Sequence, residues 1–246
     1  MASPSLWLHQ IRDGEAPFVF FPPAGGSASA AYGVVAAFAP EWSVWGVQYP
    51  ARGPRLREAA PGSIRELAAA CLPSIVDDAG RTVLFGHSFG AYVAYDVAQL
   101  LEGLGRPVAG LVVAGVPAPG QPLPGLAAED LAEGALIAAL RRQGGTASTL
   151  LDDEELMELV LPALRADLTL SREYVDDHGR RLTTPVAALG GRDDHVVTGA
   201  QLDSWAGVTD SWLGAELAGG HHFFYVDDPD LLARTVDRHW ARVASA

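Results

Sequence analysis

The fold is decided by residues 82–103, which read TVLFGHSFGAYVAYDVAQLLEG. An apolar run of strand length leads into a G-x-S-x-G pentapeptide centred on Ser88, and a run of helix length follows it. Strand, tight turn and helix in this order form a nucleophile elbow. Gly86 and Gly90 allow the turn because neither carries a side chain that would block the close approach of two backbone segments. The stretch therefore predicts that Ser88 is a catalytic nucleophile.

Outward from the elbow, apolar runs of strand length alternate with amphipathic runs of helix length. This alternation is typical of an α/β fold with a mostly parallel sheet covered by helices. A chain of 246 residues that is 49% hydrophobic can form one domain with a large core, so we expect a single domain over residues 1–246. The predicted strands are 6–9, 17–21, 43–48, 82–85, 109–114, 185–189 and 212–217.

Residues 117–184 depart from this alternation. The segment opens with a Pro/Gly-rich stretch at 117–125 and continues as a predicted helix over 129–142, a turn at Gly144 and Gly145, and a long predicted helix over 153–174. It predicts an inserted helical lid.

A serine nucleophile needs a histidine base and a carboxylate that orients the imidazole, and in this fold the three follow the chain order Ser, acid, His. After the strand at 185–189 come Asp193 and Asp194, of which we predict Asp194 as the acid, with Asp193 as the alternative. After the last strand come His221 and His222. We predict His221 as the base because it directly follows two glycines, with His222 as the alternative.

The oxyanion that forms during attack on a carbonyl needs two backbone N–H donors. One comes from the residue after the nucleophile, which is Phe89, and the other from the loop after an early strand. In that loop, Pro22 and Pro23 lack an N–H group, so Ala24 is the first residue that can donate. We therefore predict an oxyanion hole formed by Ala24 and Phe89.

Composition excludes several classes of function. The formal charge of −13, from 30 acidic and 17 basic residues, repels nucleic acid. All the basic residues are arginine, so Schiff-base and phosphate-loop lysines are excluded. Neither H-E-x-x-H nor C-x-x-C spacing occurs, and Cys71 lies at helical spacing among apolar residues. We expect no metal, no cofactor and a buried structural thiol.

The chain offers no segment that is typical of a membrane protein. Residues 16–40 carry no charge, but their four prolines and three glycines would break a spanning helix. The first residues lack the basic-then-apolar pattern of a signal peptide. We expect a cytoplasmic monomer that does not bind membranes.

The chain resembles the stand-alone type II thioesterases that accompany polyketide and nonribosomal peptide synthetases. The resemblance covers nearly the whole chain, and the lid motif and the early FPPAGG loop are its most specific parts. At three positions the family more often has another residue than the Pro23, Ala51 and His222 found here. The matching segments are FPPAGG at 21–26, QYPARGPR at 48–55, LFGHSFGAYVAYDVA at 84–98, LPALRADLTLSREY at 161–174, GGRDD at 190–194, LDSW at 202–205 and AGGHHFF at 218–224.

The resemblance implies an α/β-hydrolase fold, no cofactor, and Ser88, Asp194 and His221 as the catalytic residues. It implies that the enzyme hydrolyses acyl thioesters on the phosphopantetheine arm of acyl or peptidyl carrier proteins and so removes aberrant acyl groups during antibiotic-type biosynthesis. The alternatives from the residues alone are a small-molecule carboxylesterase or lipase on the same fold, and a binding protein that lacks catalysis.

Electrostatics oppose the implied partner, because carrier proteins are usually acidic and this chain is strongly acidic too. Docking would need a local basic patch. The candidate arginines are Arg52, Arg55 and Arg57 in one loop, and the pairs Arg141 and Arg142, and Arg180 and Arg181, around the lid.

Overall fold

A computed structural model describes residues 6–123, 131–143 and 153–244. All the predicted strands are confirmed, with boundaries shifted by at most a few residues. The strands are β1 Leu8–Arg12, β2 Ala16–Phe21, β3 Trp42–Val47, β4 Val83–His87, β5 Gly110–Ala114, β6 Val186–Gly191 and β7 Trp212–Ala218.

The strands form one seven-stranded sheet in the order β1-β3-β2-β4-β5-β6-β7. Strand β1 runs antiparallel to β3, and every other pair is parallel. This is the α/β-hydrolase fold that was expected. Because the carboxyl ends of parallel strands meet at one edge, the loops after β2, β4, β6 and β7 converge there.

Helices cover both faces of the sheet. The α-helices are α1 Ile64–Cys71, α2 Phe89–Gly103, α3 Glu133–Gln143, α4 Glu154–Glu173, α5 Gly199–Leu202, α6 Phe224–Asp227 and α7 Pro229–Ala244. Short 3-10 helices lie at Ala28–Gly33, Val35–Ala37, Gly53–Arg55, Leu72–Ser74, Val76–Arg81 and Asp203–Gly207. In the described part of the chain, no helix is long and apolar enough to cross a membrane.

Strands β2 to β6 bury side chains on both faces, because successive side chains of a strand point to opposite faces. In β2, Phe18 and Phe20 pack in one apolar cluster with Trp240 of α7. Val19 and Phe21 point the other way, into a second cluster that contains residues of α1 and α2. The sheet is therefore a rigid layer between two cores, and it holds the loops at its edge in place.

Helices α3 and α4 lie in the segment between β5 and β6 that was predicted as a lid. The Asp153 side chain caps α4 by accepting the Leu156 N–H at 3.0 Å. The two helices pack on each other through a small apolar cluster that includes Leu136, Met157 and Leu161 and is separate from the two main cores. The predicted turn at Gly144 and Gly145, and the end of the Pro/Gly-rich opening, lie outside the described residues.

Candidate active site

Ser88 lies at the tip of the turn between β4 and α2, as predicted. Its backbone has φ +53° and ψ −121°, a strained conformation for a residue with a side chain. A Cβ atom on Gly90 would overlap the carbonyl oxygens of Phe21 and Pro22, and one on Gly86 would overlap the Gly90 carbonyl oxygen. Only glycines fit at these two positions, so the elbow forms because the sequence supplies them.

Asp194 and His222 form a buried hydrogen-bonded pair. The His222 Nδ1–H group donates to Oδ2 of Asp194 at 2.9 Å, and the exposed fractions of the two side chains are 4% and 0%. The other carboxylate oxygen of Asp194 accepts the Val196 N–H at 2.7 Å. Because Nδ1 of His222 carries the proton, its Nε2 atom can accept another one.

The predicted pairing of His221 with Asp194 is therefore wrong, and the alternative that named His222 fits the structure. The exposed His221 ring contacts the backbone carbonyl of Asp193 through Nδ1 at 3.1 Å. Gly220, with φ +98°, bends the chain directly before the two histidines. Two adjacent histidines carry no local signal that separates them. Of the two acids, the structure brings Asp194 to a histidine and leaves Asp193 exposed.

His87, the last residue of β4, holds the loop that carries His221 and His222 against this strand. Its Nε2–H group donates to the backbone carbonyl of His222 at 2.9 Å, and the Tyr225 hydroxyl lies 3.4 Å from its Nδ1 atom. Full burial, together with the nearby imidazole of His222, lowers the pKa of His87 well below its usual value. His87 therefore stays neutral and keeps this donor arrangement.

The two predicted oxyanion donors lie at the same end of the sheet. Ala24 and Phe89 line the cavity that Ser88 lines. Within the described residues, neither of their N–H groups has an acceptor. Both amides are thus available to a bound oxygen.

A cavity of about 450 Å³ connects these residues to the lid segment. Ser88, His221 and His222 line it, together with apolar side chains of α3 and α4. The residues from the two helices include Ala135, Leu136, Ala139, Leu164 and Leu168. A mostly apolar chamber that ends at a serine and a histidine suits an acyl group attached to a reactive carbonyl.

Among the described residues, neither the single cysteine nor a metal centre offers an alternative to the serine. Cys71 is buried in α1, and burial raises the pKa of its thiol to about 12, so it is not a nucleophile at neutral pH. The ranges that the structure describes contain no cluster of histidine, cysteine and acidic side chains that could hold a metal ion.

The structure shows which of the candidate arginines are exposed and could form a basic patch. Arg52 is buried against Asp167, and Arg55 is buried with its Nε 2.8 Å from a Glu58 oxygen, so neither can meet a partner. Of the three candidate arginines in this loop, Arg57 alone is exposed, so the loop does not present a cluster of charges. Arg142 of α3 is exposed and lines the cavity, so positive charge does lie at the lid.

Comparisons with known proteins point to one family. Residues 16–239 match the family model of the thioesterase domain. A probable cadicidin biosynthesis thioesterase of Streptomyces griseus is 33% identical over 229 residues, which cover 91% of this chain and 63% of that protein.

Two solved structures share the fold over almost their whole length. The type II thioesterase BorB from the borrelidin biosynthetic cluster is 33% identical, with a TM-score of 0.86, and the match covers 98% of this chain and all of that one. YbtT, a type II thioesterase from the yersiniabactin NRPS/PKS biosynthetic pathway, is 28% identical with the same TM-score, and covers 96% of this chain and 99% of its own. With the family model matching nearly every described element, this chain belongs to the thioesterase domain family.

Proposed function

We propose that the protein hydrolyses acyl thioesters on the phosphopantetheine arm of acyl or peptidyl carrier proteins, and so clears aberrant acyl groups from a polyketide or nonribosomal peptide synthase. The observation that carries the proposal is the buried pair of His222 and Asp194, of which His222 lines a mostly apolar cavity together with a strained serine. Family membership and the type II thioesterases of similar structure support the substrate class.

In the first half of the reaction, Oγ of Ser88 attacks the thioester carbonyl while Nε2 of His222 takes its proton. Asp194 holds the imidazole in the required tautomer and stabilises the imidazolium. The amides of Ala24 and Phe89 donate to the oxyanion. When the intermediate collapses, the C–S bond breaks and His222 returns the proton to the leaving thiol.

In the second half, His222 takes a proton from water, and the resulting hydroxide attacks the acyl-serine ester. The same two amides stabilise the second oxyanion. Collapse of this intermediate breaks the ester bond, and the proton returns from His222 to Oγ of Ser88. The products are the free acid and the carrier with its thiol restored.

The test compares carrier-bound and soluble substrates. We expect kcat/KM for an acyl-carrier protein to exceed that for the same acyl group on N-acetylcysteamine, and both to exceed that for its ethyl ester. Ser88→Ala should lower kcat by about 10⁴-fold or more. A higher kcat/KM for the ethyl ester would favour the carboxylesterase alternative, and unchanged turnover in Ser88→Ala would exclude the triad.

Arg142 provides a second test of the carrier partner. Arg142 is exposed and lines the cavity, so we expect it to attract an acidic carrier and the phosphate of its arm. We expect Arg142→Glu to raise KM for the acyl-carrier protein several-fold, while leaving kcat/KM for the N-acetylcysteamine thioester within about twofold. Arg106→Glu serves as a control, since Arg106 is exposed and does not line the cavity. Equal effects of the two variants would contradict a docking role for Arg142.

A further inference from the structure

Helix α4 lies directly on the loop that carries Ala24, and a buried carboxylate joins them. We call residues 22–26 the oxyanion loop. Oδ2 of Asp167, a fully buried residue of α4, accepts the Gly25 N–H at 2.8 Å. Gly25 has φ +72°, and a Cβ atom there would lie 3.2 Å from Cβ of Leu164, one turn earlier in α4. The contact leaves almost no space between helix and loop.

The same carboxylate binds Arg52 in a bidentate pair. Nη2 of Arg52 lies 2.9 Å from Oδ1 of Asp167, and Nη1 contacts Oδ2. Arg52 also donates through Nε to the Pro50 carbonyl at 3.0 Å and through Nη1 to the Gly26 carbonyl at 3.5 Å. The oxyanion loop is therefore held at two successive residues, by Asp167 itself and by the arginine that Asp167 orients.

A second set of contacts links this pair to the other oxyanion donor. The Arg52 guanidinium lies 5.3 Å from the centre of the Tyr49 ring. Tyr49 packs edge to face on Phe89, with ring centres 5.6 Å apart, and its hydroxyl donates to the Pro22 carbonyl at 3.5 Å. Ala24 and Phe89 are thus both positioned by groups that meet at the ion pair of Arg52 and Asp167.

We propose that Asp167 is a positioning residue that couples the lid helix α4 to the oxyanion hole; this inference rests on the proposed function. Oxyanion donors stabilise the transition state only when they are held in place before the charge forms. Asp167 orients the peptide group between Ala24 and Gly25, and it does so only while α4 lies on the loop. Movement of α4 away from the loop would therefore switch off catalysis without touching Ser88, His222 or Asp194.

The test is Asp167→Asn, which keeps the side-chain shape and removes the charge that binds Arg52. We expect kcat for a soluble acyl thioester, per active site titrated with a fluorophosphonate, to fall 10- to 100-fold, with KM within about threefold. A trifluoromethyl ketone, which forms a tetrahedral oxyanion adduct with Ser88, should bind more weakly by a similar factor. A purely structural role would lower the fraction of active sites and leave both quantities per site unchanged.

Asp177→Asn is the matched control, because Asp177 follows the same helix, is exposed and pairs with Arg65. It should leave kcat and inhibitor affinity unchanged. If Asp167→Asn does not fold, the double variant Asp167→Asn, Arg52→Gln removes both buried charges and carries the same expectation. Unchanged kcat and inhibitor affinity per active site would overturn the proposal. An inactive wild-type enzyme, or an active Ser88→Ala variant, would instead overturn the proposed function.

Discussion

At the residue scale, the chemistry depends on which of two neighbouring histidines reaches the carboxylate. His222 is buried and hydrogen-bonded to Asp194, whereas His221 is exposed at the cavity and its ring nitrogen contacts the backbone carbonyl of residue 193. Both rings line the cavity, so position near the serine does not separate them. The hydrogen bond to Asp194 does, because the base needs a fixed tautomer.

The two histidines give a paired prediction. His222→Gln should lower kcat by about 10⁴-fold or more, since it removes the base, and His221→Gln should change kcat by less than tenfold. The measurement is steady-state hydrolysis of an acyl thioester, with folding checked by thermal unfolding. A larger loss of kcat in His221→Gln than in His222→Gln would show that His221 is the base.

His87 gives a prediction for stability. Because burial lowers its pKa, the folded protein leaves His87 neutral at a pH at which the unfolded chain, with a histidine pKa near 6.5, binds a proton. Protons then favour the unfolded state. The contribution of neutral His87 to the free energy of unfolding is therefore fully present above about pH 6.5, and it falls by roughly 1 kcal/mol per pH unit below that value.

Denaturant unfolding at pH 7.5 and 5.5 tests this. We expect His87→Gln to be less stable than the wild type at pH 7.5, but to lose less of its free energy of unfolding at pH 5.5. An equal loss in both proteins would show that His87 is not the group that titrates.

At the element scale, the two lid helices differ in how they are attached. Helix α4 is attached to the oxyanion loop through Asp167. It is also attached to α2 through Tyr174, the residue directly after the helix, whose hydroxyl donates to the Asp96 carboxylate at 3.0 Å. Helix α3 packs on α4 through the small apolar cluster and presents alanines to the cavity. We infer that side chains of α3 limit the length of acyl chain that the cavity accepts, and that α4 keeps the oxyanion loop in place.

The acyl-chain preference should therefore change with side-chain size on α3. Ala139→Phe fills part of the cavity, so we expect kcat/KM for a dodecanoyl thioester to fall tenfold or more and that for a propionyl thioester to stay within about threefold. Ala132→Phe is the control, since Ala132 is exposed and does not line the cavity. An equal loss for both substrates would show general damage rather than a size limit.

At the scale of the whole molecule, a sheet between two cores carries the helices α3 and α4, which we propose act as a lid. Strand β4 is buried along its whole length, whereas α3 contacts the body mainly through α4. We infer that α3 is the part of this cover that moves when a carrier-bound arm enters, because α4 is attached to the oxyanion loop and to α2.

Hydrogen exchange tests this division. We expect fast exchange over Glu133–Gln143, slow exchange in β4 and in α4 around Asp167, and slower exchange in α3 when a non-hydrolysable acyl-carrier analogue binds. Exchange in α3 as slow as in β4, and unaffected by the analogue, would exclude a mobile lid.

Local patterns in the sequence were enough to predict the strands, the elbow at Ser88 and the helices on either side of Gly144. These features follow from interactions between residues close in sequence: the two-residue period of apolar side chains, the two glycines of the elbow and the Asp153 cap. The chain order Ser, acid, His also limited the candidates for the acid to Asp193 and Asp194, and those for the base to His221 and His222.

Only the tertiary structure decided between His221 and His222, because both follow the same two glycines and their environments come from distant strands. It alone showed that Arg52 is buried rather than available to a carrier protein. It also joined Gly25, Arg52 and Asp167, which are up to 142 residues apart in the chain. A contact over such a separation forms only after the sheet has placed the loop and the helix side by side, so no local pattern in the chain encodes it.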